Sequence, residues 1–431
     1  MREPRPLSRT AKKLLMIAFH YPPDMSSSGV LRTLKYSRYL PEHGWLPHVL
    51  TVDPKHYEVR DEALVGQIPA GVKVYRTRAV NTKSALSIRG RYLKAVTIPD
   101  RFIGWLPFAV AAALRVIRRE RIEALYSTSP LATSHMIGAA VKKLTGLPWI
   151  ADFRDPWTEP ELVADHQALL FRLETRLEDL VLRRADRLVF TTGGLRAELL
   201  RRHPRAEPDK AVVIPNGYDE EDFESLEERP PAAPPLWITH AGLVDQEYRS
   251  PFPLFDAISE LKRSGQLAPG QLRVDFLGGG AYLESDAFRQ AVASRDLGEE
   301  IRVSGRVSYR ESIERQARSH VLLILQCTDD TRHLIPAKAF EYLRVGRPIL
   351  ALAPESATSE LFADVGGAEV VDPKDRPAIA NRLLELVKRA EQGQLVSGAK
   401  QEALKNYSRR KLAERLGAVL DGVSRQGPAA V

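Results

Sequence analysis

Short strand-length runs rich in apolar residues alternate along the chain with stretches whose apolar residues recur at helical spacing. The runs fall at 14–19, 48–52, 72–76, 124–127, 149–152 and 188–192, and again at 237–240, 273–277, 301–304, 321–326, 349–352 and 369–371. Two of them, Val321–Gln326 and Pro348–Leu352, are continuous apolar stretches of strand length, the pattern of parallel strands buried on both faces. Helical spacing near 30–42, 105–119, 131–145 and 168–185, and between the later runs, supplies the crossovers that parallel strands need. The predicted fold class is α/β in two successive halves. The segment ERPPAAPP at 228–235 has neither pattern and predicts a linker between a domain over 1–227 and another over 236–399.

Length and composition agree with two such domains. The chain has 431 residues, 44% hydrophobic and 27% charged, an ordinary globular balance. No run approaches the roughly 18 apolar residues that cross a bilayer. The run at 14–19 is too short for a signal segment and leads into YPP, so the protein is expected on the cytoplasmic side. Cys327 is the single cysteine; it excludes an internal disulfide, has no zinc-ligand spacing around it, and is expected at the end of a buried strand. A net charge of +8 favours anionic partners, among which nucleoside diphosphates, phospholipid surfaces and nucleic acid all qualify.

The stretch VLLILQCTDDTRHLIPAKAFEYLRVGRPILAL at 321–352 carries the most chemistry. A strand leads through a polar loop into a helix opened by Pro336 and closed near Gly346, then into a second strand. Ligands of open α/β sheets bind beyond the carboxyl ends of the strands, where helix amides favour an anion. Lys338 in the first helical turn can pair with phosphate and Glu341 can accept hydrogen bonds from a ribose diol; the alternative is a solvated i,i+3 pair. After the first strand, SSSGVLR at 26–32 offers Gly29 for close backbone approach to a diphosphate or an acceptor oxygen, with Arg32 beside it, unless it is only a tight turn with a solvated arginine. In THAGLVDQEYRSP at 239–251, Gly242 permits the same approach and Arg249 can reach phosphate.

Near other strand ends of the first half stand Ser129, His135, Asp152, Arg154 and Asp155. A carboxylate there can orient or deprotonate an acceptor hydroxyl, tuned by Arg154. Alternatively both aspartates cap the loop or pair with Arg154, and His135, one turn inside a helix, reads as structural. The chain has no D-x-D, and Asp152 and Asp155 at i,i+3 make poor metal ligands.

Between Glu62 and Asp100 there is no acidic residue, whereas Lys73, Arg76, Arg78, Lys83, Arg89, Arg91 and Lys94 all fall there. Trp105, Leu106 and Phe108 follow, then a helix ending in Arg115, Arg118, Arg119 and Arg121. Residues 73–121 thus predict peripheral contact with anionic membrane, the alternative being a domain helix whose arginines favour its C-terminal dipole.

The 321–352 stretch resembles the nucleotide-sugar motif of family 4 glycosyltransferases, whose fold is GT-B. YPPDMSSSGVLR at 21–32 is similar to the family's N-terminal glycine loop, YSTSPLATSHMIG at 126–138 with PWIADFRDPW at 148–157 resembles its bacterial capsular and exopolysaccharide branch, and IPNGYDEEDF at 214–223 resembles its interdomain segment. The resemblance implies two Rossmann-like domains facing each other across a cleft, with the helical stretch at 400–424 returning to the first. It implies a nucleotide-sugar donor on the second domain, held by Glu341, Gly242, Ile335, Pro336 and Ala337, with Arg306 of SGRVS and Asn216 with Gly217 at the base or sugar. Arg249 and Lys338 would stabilise the departing nucleoside diphosphate in place of a metal; no cofactor is expected. His333 stands where many members carry the first of two glutamates, and either contacts the sugar or a phosphate or is solvated.

The function expected is retaining transfer of a sugar to a lipid-linked or polysaccharide acceptor at the inner membrane face, with no nucleic-acid partner. A nucleotide-sugar epimerase of the same fold and a noncatalytic nucleotide-sugar-binding protein are the alternatives.

Overall fold

The computed structural model of the chain describes residues 11–26, 29–87, 92–158, 168–224, 226 and 229–424. The chain divides into two compact units, one of residues 1–216 with 409–431 and one of residues 217–408.

The first unit is built on seven parallel strands, β1 (Lys12–Ile17), β2 (Trp45–Val52), β3 (Lys73–Thr77), β4 (Ala124–Thr128), β5 (Trp149–Phe153), β6 (Arg187–Phe190) and β7 (Ala211–Val213), in the order β3-β2-β1-β4-β5-β6-β7. The unbroken apolar run of β1 has a direct cause. Leu15 and Ile17 pack among Trp105, Val116 and Ile137 on one side, while Leu14 and Met16 pack among Leu34, Tyr36 and Leu416 on the other. Apart from the four-residue helix Thr82–Ala85 and short 3-10 turns, β7 and one longer helix lie outside the sequence reading. β7 has only three residues, too few for a pattern, and the helix Gly193–Arg202 buries little more than Leu195 and Leu199.

The chain returns to this unit at its end. The expected helix at 400–424 is broken into Gln401–Lys405, in the second unit, and Arg409–Ser424, in the first. Leu412, Ala413, Leu416 and Leu420 bury against the first sheet, and Asp421 accepts hydrogen bonds from Lys12 and from the Trp45 indole, each at 3.2 Å.

Six parallel strands form the second unit, β8 (Leu236–Ala241), β9 (Leu272–Leu277), β10 (Ile301–Gly305), β11 (Val321–Leu325), β12 (Ile349–Leu352) and β13 (Ala368–Val371), in the order β10-β9-β8-β11-β12-β13. The boundary differs from the linker expected at 228–235. Tyr218 and Phe223 already bury in the core of the second unit, and Pro231 O lies 2.9 Å from His320 Nε2, so the proline-rich stretch follows the boundary rather than marking it. In each sheet the strand order reverses beside the first strand, between β1 and β4 and between β8 and β11. These are the topological switch points where open α/β sheets leave room for a ligand.

The segment expected at a membrane is only partly a surface. Trp105 is fully buried and its indole donates to Thr77 Oγ1 at 2.7 Å, because the large ring fills the core beside Phe19. Lys73 pairs with Glu120, and Arg76 donates to Pro22 O. Arg89 and Arg91 lie outside the described residues. Arg78, Lys83, Lys94, Phe108, Arg115, Arg118, Arg119 and Arg121 are exposed. Among the described residues, no helix is long and apolar enough to cross a membrane.

A buried ion pair ties the first unit together. Arg32 and Asp152, 1% and 0% exposed, form a two-pronged contact with Nε–Oδ2 at 3.0 Å and a terminal nitrogen to Oδ1 at 2.8 Å. Arg32 also donates to Ile214 O and Pro215 O, which joins helix Gly29–Tyr39, β5 and the segment after β7. Asp152→Ala strips the buried guanidinium of its carboxylate, and we expect it to cost roughly 3–5 kcal/mol. The check is denaturant unfolding, in which the first transition should move to lower denaturant; an unmoved transition would show that the pair is dispensable.

Candidate functional site

The carboxyl ends of β8, β9 and β11 converge in the second unit. Gly242 follows β8 with φ of +124°, and a Cβ there would lie 2.8 Å from Lys338 Nζ. Only glycine both accepts this backbone and leaves the ammonium its place. Gly278, after β9, approaches still closer, since a Cβ on it would lie 2.5 Å from Gly242 O. Gly279 runs against the side chain of Arg306, which is otherwise exposed. The triplet Gly278 to Gly280 is thus part of the site, although the sequence reading passed over it; three glycines directly after a strand were the available signal.

Lys338 reaches this point from the helix Ala337–Val345, whose ends match the sequence reading. Pro336 sits at its N-cap, and Gly346, at φ of +77°, closes it with its N–H on Tyr342 O. Tyr342 fixes the helix against β8 by accepting the Ala241 amide at 2.7 Å. Ile335, Pro336 and Ala337 are half-buried at the helix entrance. The loop before them is held by Gln326, which donates to Thr331 O and Leu334 O. Cys327 ends β11 as expected and clamps two loops: its amide donates to Tyr248 O and its thiol to Ser250 O, with burial pushing the thiol up to about 11.

The electrostatics single out Lys338. Burial, and then the positive charge of Arg249, push its ammonium down to about 7, against the opposing effect of Glu341. Its partner is His240, on β8, with Nζ and Nε2 3.0 Å apart. Burial and the neighbouring Lys338 hold His240 well below the ordinary histidine range, so the ring is neutral. Nδ1 lies 2.9 Å from Leu323 O and Nε2 3.2 Å from Leu243 O; the tautomer that donates from Nδ1 to Leu323 O leaves Nε2 to accept from the lysine. The sequence reading included His240 only as a strand residue, since nothing local distinguishes it.

Arg249 is oriented by Asp245, which accepts its guanidinium at 3.1 Å and the backbone amides of Glu247, Tyr248 and Arg249. Burial raises the Asp245 carboxyl, but these amides and the Arg249 charge outweigh it and hold the group below its usual range. Glu341, half-buried one turn beyond Lys338, accepts from Tyr309 at 3.1 Å. His333 lies beside Arg332, 3.2 Å from its Nε, in the loop before the helix. Asn216 and Gly217 fall on either side of the division between the units.

The residues of the first unit arrange differently from expectation. Asp152 is not available to an acceptor hydroxyl: besides Arg32 it takes Tyr126 at 2.6 Å and Thr128 at 2.8 Å. Burial raises its pKa, but the Arg32 charge and these hydrogen bonds prevail and keep it ionised. Nor is Arg154 its partner, since Arg32 occupies that place, and Arg32 is correspondingly unavailable to phosphate. His135 is structural, stacked on Phe153 and hydrogen-bonded to Ser127, with burial pushing it down to about 4. Ser129 accepts the Arg154 amide at 2.8 Å, and Asp155 follows half-buried. Gly29 stands at the start of its helix against the Arg154 guanidinium. Among the described residues no three His, Cys, Asp or Glu side chains group as metal ligands would.

Residues 29–217 match the family described as Glycosyl transferase 4-like domain. No curated protein matches the chain in sequence. Solved structures align over nearly its whole length. Sucrose-phosphate synthase from Thermosynechococcus elongatus is 16% identical with a TM-score of 0.70, covering 96% of this chain and 100% of its own. Anabaena HepE in complex with UDP is 14% identical with a TM-score of 0.66, at 95% and 100% coverage. A glycosyltransferase from Rickettsia africae is 12% identical with a TM-score of 0.64, at 97% and 100% coverage. The fold is therefore GT-B, with two Rossmann-like domains, and fold and matched domain together are those of a glycosyltransferase.

The Lys338 titration is directly measurable. With 13C-labelled lysine, NMR should show one midpoint near 7, and Arg249→Gln should raise it, because a neighbouring positive charge disfavours the ammonium. A Lys338 midpoint at the ordinary 10.5 would contradict the site as described.

Proposed function

We propose that this protein transfers a sugar from a nucleotide diphosphate sugar to an acceptor hydroxyl, without a metal and with retention of anomeric configuration. The observation that carries the proposal is the meeting of Lys338, Arg249 and the side-chain-free backbone of Gly242 and Gly278 at one switch point. Two cations beside open backbone suit a diphosphate. The related fold of Anabaena HepE, solved with UDP and with UDP-glucose, supports the same ligand class.

In this reading the bond between the anomeric carbon and the diphosphate oxygen breaks, and its electron pair stays on that oxygen. Lys338 and Arg249 stabilise the developing charge, so their contribution grows toward the transition state. The acceptor oxygen bonds to the anomeric carbon on the face the diphosphate leaves, and its proton passes to the departing phosphate oxygen. Glu341, placed by Tyr309, holds the ribose; His333, Ile335, Pro336, Ala337, Arg306 and Asn216 border the donor. An anionic diphosphate draws the Lys338 proton equilibrium upward, so donor affinity should decline as pH rises above 7.

The acceptor in this proposal is a lipid-linked or growing polysaccharide intermediate, met at the inner membrane face. Support comes from a groove of about 150 Å³ in the first unit, lined by Tyr92, Lys94, Thr97, Ile98, Leu170 and Phe171, with Glu174 as its one acidic residue. Leu93 and Leu169 beside it are 76% and 78% exposed, with Lys83 and Lys94 in the same region. Exposed apolar side chains next to lysines suit an anionic lipid surface.

Two measurements test these readings. A panel of nucleotide diphosphate sugars with a membrane lipid extract should release nucleoside diphosphate from one donor only, and Lys338→Ala should lower that rate by about 100-fold or more, in line with loss of a charged transition-state contact. Release that is independent of any acceptor, with an altered nucleotide sugar as product, would establish the epimerase instead; donor binding with no product would leave a binding protein. For the surface, the protein should sediment with phosphatidylglycerol vesicles in low salt and less so after Leu93→Glu with Leu169→Glu; equal sedimentation would remove this patch from the proposal.

A further inference from the structure

We propose that Tyr309 and Asp222 are positioning residues for the donor ribose: Tyr309 shares its hydroxyl hydrogen between Asp222 and Glu341, and passes it to Asp222 when ribose hydroxyls reach Glu341. Tyr309 opens the helix Tyr309–Arg318, after β10. Its oxygen lies 3.1 Å from Glu341 Oε1 and 3.2 Å from Asp222 Oδ2. A phenol has one hydrogen, so it donates in full to only one carboxylate at a time. Both distances exceed the usual ~2.7–2.8 Å between hydroxyl and acceptor oxygens. Tyr126 in the first unit, donating to Asp152, approaches it to 2.6 Å. Neither bond of Tyr309 is therefore complete, and its hydrogen is divided between two acceptors.

Asp222 is held in place by its neighbours. It lies in the turn Glu220–Phe223, where Glu220 accepts from Arg344 Nε at 2.6 Å and the buried Phe223 ring lies 5.2 Å from the Arg344 guanidinium. Arg344 stands three residues beyond Glu341 on the helix Ala337–Val345, so the turn is fastened to the element that presents Glu341. Asp222 and Glu341 are like charges on either side of one hydroxyl, and the hydrogen between them offsets their repulsion. Ribose hydroxyls that donate to Glu341 replace that hydrogen, and Tyr309 then turns fully to Asp222. The exchange leaves no donor or acceptor short of the partner it had, which keeps its cost low. Without Asp222, ribose and Tyr309 would compete for the same carboxylate. All three residues belong to the second unit, and Tyr309 and Asp222 lie far in sequence from the 321–352 stretch. They have this role only with Glu341 as the ribose contact, so it rests on the sugar-transfer reading.

Calorimetry of the full chain with UDP, ADP and GDP identifies the tightest nucleotide, and its 2′-deoxy counterpart then reads the ribose contact without turnover. The unaltered chain should prefer the ribonucleotide, and Glu341→Ala should abolish that preference. Tyr309→Phe and Asp222→Ala should each reduce it by about threefold or more, the scale of one shared hydrogen bond. Because both act on the same hydrogen, the double variant should lose no more than either alone. Asp222→Asn, which keeps an oxygen able to accept from Tyr309, should retain most of the preference. A bridge that only braced the fold would shift both nucleotides alike and leave their ratio unchanged. An unchanged ratio in Tyr309→Phe or in Asp222→Ala overturns the proposal, as do additive losses in the double variant. A preference that is absent from the unaltered chain or survives Glu341→Ala, or binding of none of the three nucleotides, removes the ribose assignment and this role with it. That outcome is told apart from a failure confined to Tyr309 and Asp222 by the Glu341→Ala arm.

Discussion

Every strand in both sheets runs parallel to its neighbours, and that one constraint arranges the rest. Parallel strands cannot be joined by tight turns, so each is followed by a crossover helix, and all carboxyl ends of a sheet open on the same edge. Where the strand order reverses, the loops after two central strands diverge and leave a gap. In the second unit the gap lies between β8 and β11, and Gly242 and Lys338 meet there; in the first it lies between β1 and β4, close to Gly29 and Ser129. Chemistry is concentrated at these edges because the sheet faces are filled by apolar side chains.

Within that frame, buried charge is handled in two ways. Asp152 and Arg32 neutralise each other with a full set of hydrogen bonds, and the pair acts as a rivet between a helix, a strand and the segment after β7. Lys338 is treated in the opposite manner. It is placed beside a neutral histidine, and burial and the nearby Arg249 disfavour its charge against the opposing effect of Glu341. The first arrangement stabilises a fold; the second leaves an electrostatic demand that a ligand can meet.

The architecture was largely legible in the sequence. Strand-length runs rich in apolar residues identified twelve of the strands, most clearly β11 and β12, which are apolar and buried throughout, whereas β3 and β10 at the sheet edges keep charged residues and are little buried; Pro336 with Gly346 bounded the helix that carries Lys338 and Glu341. Local pattern failed where the element was short, as in β7, and where composition pointed away from packing, as in the proline-rich stretch that follows Tyr218 and Phe223 into the second unit.

Sequence alone thus determined the alternation of strand and helix, the two halves, and the placing of Gly242, Lys338 and Glu341 at strand ends. Only the tertiary structure decided which charges meet. Arg32 finds Asp152 across 120 positions and Lys338 finds His240 across 98, and neither pairing is written in any local spacing. Hydrophobic period reports which face of an element is buried, a property of neighbouring residues, whereas a charge partner depends on the register and order of strands that are far apart in the chain.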